Sequence, residues 1–67
     1  MIDEIILTDG ETYSVGEQYA GDSPTHISSI KLNPETNWFD IWESTSDGFE
    51  TKRESINYQH VVKIRFE

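Results

Sequence analysis

Branching at Cβ constrains this chain more than any other feature. Eight Ile and three Val stand against two Leu, one Met and one Ala, and six Thr add to the branched set. Branched and aromatic side chains lose rotamer freedom in a helix but pack well on a pleated surface. No window repeats apolar residues at intervals of three and four over two turns, so a long amphipathic helix is excluded. The chain is expected to be mainly β.

Turn residues mark six extended segments, read as about five strands. Residues 2–8 meet residues 11–15 across Asp9-Gly10, a pair suited to a two-residue type I′ turn because both positions tolerate positive φ. Residues 26–32 close at Asn33-Pro34, and residues 38–43 turn through 44–48 into 49–53. Residues 59–66 complete the set, after a stretch near 55–58 with room for one 3₁₀ turn. Residues 16–25 read equally as a loop or as one helical turn, since Ser14 and Glu17 have capping-box spacing and Gly21 suits a helix end. The expected architecture is a single domain over 1–67: a small five-stranded antiparallel barrel or strongly bent sheet of SH3-like or Sm-like type.

Alternation assigns the faces. A two-residue turn places Ile2, Ile6, Tyr13 and Val15 on one side of the first hairpin and Ile5 with Leu7 on the other. The expected core is Ile6, Tyr13, Ile30, Leu32, Phe39, Ile41, Phe49, Val62, Ile64 and Phe66. A chain of 67 residues buries only about 60% of its unfolded surface, so large apolar groups are needed inside. Trp38 and Trp42 share a strand face with Asp40, so at least one tryptophan is expected at the surface, where it would favour an interface.

Catalysis fails on inventory. The histidines, His26 and His60, each fall in an expected strand with no nucleophile set beside them, and the serines fall in turns, where hydroxyls satisfy local backbone. No Gly-rich loop carries a Lys to cradle phosphate. With no Cys there is no thiolate zinc site, thiol nucleophile or disulfide, and two histidines do not close a metal site. The Asp9-Gly10-Glu11 turn does not fit a calcium loop. The expectation is a non-enzyme without metal or cofactor. The longest apolar run is Ile5 to Leu7, too short for a membrane span or a secretory segment, which gives the expectation of a cytoplasmic protein.

Charge is the informative feature. The net charge is −8. Residues 1–30 carry Asp3, Glu4, Asp9, Glu11, Glu17 and Asp22 without one Lys or Arg, while the remainder holds seven acids and five bases. Such a field repels nucleic acid and anionic membranes as direct partners and attracts basic protein surfaces. A compact 67-mer is about 28 Å across. Duplex DNA of that length carries roughly 16 charges, about half on one face. Acids gathered on one side of the domain would therefore match one face of DNA, with Asp40, Glu43, Asp47 and Glu50 extending the patch if their turn lies at the same end. A solubilising surface is the plain alternative.

Two resemblances follow. The stretch Tyr58-Gln59-His60-Val61-Val62 resembles the Tyr-Lys-His segment of bacterial Sm-like RNA chaperones, which implies their barrel topology. Gln59 replaces the basic residue and no helix is expected before the first strand, so RNA binding is not implied. In size, acidity and lack of enzymatic residues the chain resembles the small acidic β proteins that phages use as DNA-mimic inhibitors of host proteins. That resemblance implies a basic host partner of nucleic-acid-binding type. The charge distribution makes the acids named above the expected contact set, with Trp38 and Trp42 as expected interface anchors. The alternative is a structural adaptor assembling through an edge strand or its tryptophans. A homodimer would widen the acidic surface and cover an open sheet edge.

Overall fold

In the computed structural model, residues 1–18, 25–45 and 47–67 are described. Six strands form: β1 (Ile2–Leu7), β2 (Thr12–Ser14), β3 (His26–Asn33), β4 (Trp38–Ser44), β5 (Glu50–Asn57) and β6 (Val61–Phe66). A 3₁₀ turn, Tyr58–His60, separates β5 from β6. No α-helix occurs among the described residues. The mainly β expectation holds, with six strands where about five were expected.

The closed five-stranded barrel does not form. The strands make two three-stranded antiparallel sheets, in the orders β2-β1-β6 and β3-β4-β5. The sheets meet where Gly16 N–H donates to the Ile27 carbonyl (2.8 Å) and Ile27 N–H donates to that of Glu17 (2.9 Å). On the other side, β5 and β6 are not ladder neighbours. The 3₁₀ turn carries the chain from one sheet to the other, with Asn57 accepting the Gln59 N–H as its cap (3.0 Å). A turn there uses backbone groups that a continuous ladder would need. It also takes His60 out of the expected last strand.

The first hairpin differs from the sequence reading by one residue. Leu7 N–H donates to the Glu11 carbonyl (2.8 Å) and Gly10 N–H to the Leu7 carbonyl (3.0 Å), so the loop holds three residues, not two. Gly10 alone takes positive φ, at 90°. Asp9 avoids that region, and its carboxylate instead accepts the Glu11 N–H at 2.9 Å. A three-residue loop needs one left-handed residue where a type I′ turn needs two. The consequence is register: Ile5, not Ile6, pairs with Tyr13. A one-residue slip exchanges the faces of a strand.

That slip explains part of the core. Ile5, Leu7, Ile27, Ile30, Phe39 and Ile41 are buried, with Ile2, Tyr13, Val15, Ile56, Val61 and Ile64 packed around them. Ile6 is half-buried instead. Leu32, Phe49, Val62 and Phe66, expected inside, are exposed. Leu32 pairs with buried Phe39 at the far end of β3. Val62 sits at a register shift where Ile6 pairs with Lys63 and Leu7 with Val61. The extra residue of a bulge is pushed off the ladder and off the face. Phe49 lies in the β4–β5 turn, outside both strands.

The β4–β5 connection repeats the first hairpin. Thr45 N–H donates to the Phe49 carbonyl (3.1 Å), Gly48 N–H to the Thr45 carbonyl (3.0 Å), and Gly48 has φ 90°. A Cβ at Gly48 would meet nothing within 4 Å, so a Gly48→Ala change is penalised by backbone conformation alone. The expected loss is about 1–2 kcal/mol, read from the urea midpoint. Gly48→Asn, which tolerates positive φ, should recover part of it. Equal stability of the Ala variant would contradict this turn geometry.

Candidate protein-binding surface

Six rises separate Trp38 from Ser44 along β4, which spaces its two ends by about 20 Å. Trp38 pairs with Asn57, and Thr8 N–H donates to the His60 carbonyl at 2.8 Å. Asp9 and Glu11 therefore lie at the Trp38 end. At the other end Gln18 bridges to His26, His26 pairs with Ser44, and Ser44 with Glu50. Glu17, Asp47 and Glu50 belong there. Asp3 lies towards that end too, since its carbonyl accepts the Val15 N–H at 2.9 Å. The acids thus divide between two ends rather than forming one patch on the first hairpin, and the β4–β5 turn lies opposite Asp9 and Glu11. Asp22 lies outside the described residues.

Four carboxylates serve the fold. Glu4 accepts from Ser14 Oγ at 2.8 Å and pairs with Arg65 Nε at 3.1 Å. Asp40, only 9% exposed, accepts from Ser55 Oγ at 2.7 Å and from Asn33 Nδ2 at 3.5 Å. Glu43, equally buried, accepts from Thr25 Oγ1 at 2.9 Å and pairs with Arg53 at 3.5 Å. Glu54 receives the Tyr13 hydroxyl. Buried carboxylates need such donors to stay inside. As they stand, Asp40 and Glu43 are not available to a partner.

The remaining acids among the described residues face outward. Asp3, Asp9, Glu11, Glu17, Glu35, Asp47, Glu50 and Glu67 are exposed. Among the described residues none of them forms an ion pair, while Arg65 and Arg53 reach Glu4 and Glu43. Asp47 accepts from the Thr45 hydroxyl.

The tryptophans part company. Trp38 is 41% exposed. Trp42 is half-buried, with Lys31 Nζ 5.7 Å from its ring centroid. Trp38 lines a depression of about 440 Å³ together with Leu7, Thr8, Asp9, Ser55, Ile56, Asn57 and His60. The fold thus brings two sequence-expected site residues, Asp9 and Trp38, to one place. His60, Leu7 and Ile56 complete it, and no periodicity in the sequence could have joined them. Elsewhere Leu32, Phe39, Asn37 and Tyr58 line an apolar hollow, and Phe39 and Tyr58 line another with Val62 and Ile64.

His26 Nε2 lies 3.4 Å from Ser44 Oγ, and among the described residues no carboxylate is hydrogen-bonded to that ring. Among the described residues no group of three or more His, Asp or Glu is placed to hold a metal ion, and no helix is long and apolar enough to cross a membrane. Comparison with protein-family models, with curated proteins and with solved structures finds no match.

Proposed function

We propose that this protein is a non-enzymatic acidic binding protein that covers the basic surface of a nucleic-acid-binding protein and so inhibits it. The observation that carries this reading is the set of exposed carboxylates that form no ion pair among the described residues. Among the described residues Arg65 reaches the half-buried Glu4 and Arg53 the buried Glu43, and none of the exposed acids named above forms an ion pair there. The longest dimension is 32 Å. A duplex of that length presents roughly 19 charges, about half of them on one face. Acids at both ends of β4 suit a partner groove that follows a phosphate backbone. The element order also supports a strongly bent SH3-like sheet, left open between β5 and β6.

The adaptor reading has its own support: Leu32, Tyr58 and Val62 are exposed around Phe39. Salt separates the two. Electrostatic capture weakens steeply with ionic strength, and apolar association does not. The test is capture of basic nucleic-acid-binding proteins from a bacterial lysate at about 50 and about 500 mM salt, with duplex DNA as competitor, where the Debye length falls from roughly 14 to 4 Å. Expected is capture at low salt, lost at high salt and displaced by DNA. Capture indifferent to salt and to DNA would remove the inhibitor reading.

A further inference from the structure

We propose that the depression between the Asp9-Gly10 turn, Trp38 and the 3₁₀ turn is a subsite for an arginine side chain of the partner. This rests on the reading of the protein as a binder of basic surfaces and gives that reading a chemical anchor.

Three observations converge. The first is the lining. Leu7, Trp38 and Ile56 supply apolar wall, Asp9, Ser55, Asn57 and His60 supply polar groups, and no Lys or Arg takes part. An arginine stem can lie along such walls while its charged head meets the acid.

The second is the fixed carboxylate. Asp9 accepts the Glu11 N–H at 2.9 Å through Oδ1, so the turn holds the group in place. Glu11 stands exposed beside it. A planar guanidinium donates in a fork that matches a held carboxylate, whereas an ammonium acts as a point charge.

The third is the contrast between the tryptophans. Trp42 already has a cation of its own chain over its ring, Lys31. Trp38 has no such cation among the described residues, remains 41% exposed, and shares its depression with an acid. The backbone beneath it is anchored, with its N–H donated to Thr36 Oγ1 at 3.2 Å. An indole face beside a carboxylate favours a cation that can stack, and arginine stacks where lysine does not.

The test uses the whole chain labelled with ¹⁵N, whose two indole N–H signals are assigned from Trp38→Phe and Trp42→Phe variants. Tetra-arginine and tetra-lysine peptides are titrated separately at low salt. Tetra-arginine is expected to move the Trp38 indole signal, leave that of Trp42, and bind about tenfold more tightly than tetra-lysine. Trp38→Leu should abolish the difference while leaving the weaker, salt-sensitive binding of both peptides. Asp9→Asn keeps the acceptor for Glu11 N–H and should reduce the difference with the fold intact. Equal binding of the two peptides with a silent Trp38 would overturn the subsite and leave the acidic surface standing. Failure of both peptides to bind would overturn both readings.

Discussion

Replacing Ile41 with alanine is expected to lower the thermal midpoint by about 10–40 °C, at the upper end unfolding the chain at room temperature. Ile41 is fully buried in the middle of β4, between Ile30 on β3 and Glu54 on β5. Ile→Ala changes at such sites cost about 2–5 kcal/mol, because the cavity left behind adds to the lost transfer energy. A domain of this length has about 3–10 kcal/mol in total. Each lost kcal/mol moves the midpoint by about 4–8 °C in a small domain. Val62→Ala is the control, since Val62 is 63% exposed and surface changes stay within about 0.5 kcal/mol. Circular dichroism melts of both variants decide the matter. Similar losses would mean that the two sheets do not close on Ile41.

Val62 is a useful control because sequence alternation placed it inside. Period-two reading assumes an unbroken ladder, and β6 breaks it at Val62, as β1 does near Asp3. Nothing local announces a bulge. The class of fold was legible because β-branched content and turn residues are local properties, and each expected strand segment overlaps a strand, although β5 runs on to Asn57 and the 3₁₀ turn falls later, at Tyr58–His60. The first hairpin's register was not legible, because it depends on whether Asp9 takes positive φ or accepts the Glu11 N–H. Those alternatives exchange the positions of Ile5 and Ile6.

The candidate surface was legible in part for the same reason. Exposure of one tryptophan was expected from a wet face shared with Asp40, and Trp38 is exposed although Asp40 itself is buried; Asp9, Glu11 and Asp47 are exposed in the turns where they were expected. The burial of Asp40 and Glu43 did not, since their donors come from Ser55, Asn33, Thr25 and Arg53 on other segments. The meeting of Asp9 with Trp38 depends on the path of the 3₁₀ turn, which a single sequence does not reveal.

Neutralising Asp9, Glu11, Glu17 and Glu50 together, as Asp→Asn and Glu→Gln, is expected to weaken binding to a basic partner about 30- to 1,000-fold at low salt. Each exposed pair is worth roughly 0–1 kcal/mol, so single changes should be mild and the four together should reach about 2–4 kcal/mol. The net charge moves from −8 to −4. None of the four is ion-paired within the chain among the described residues, and asparagine at position 9 keeps the turn's acceptor. Less self-repulsion should therefore leave the thermal midpoint unchanged or raise it. Binding and stability are expected to move in opposite directions, which a generally damaged protein would not do. Fluorescence titration with tetra-lysine and with the partner captured from lysate, beside a melt of the same sample, reads both. Unchanged affinity with an intact fold would make these acids a solvated face, and the apolar hollows around Phe39 and Tyr58 would then be the surface through which the protein acts.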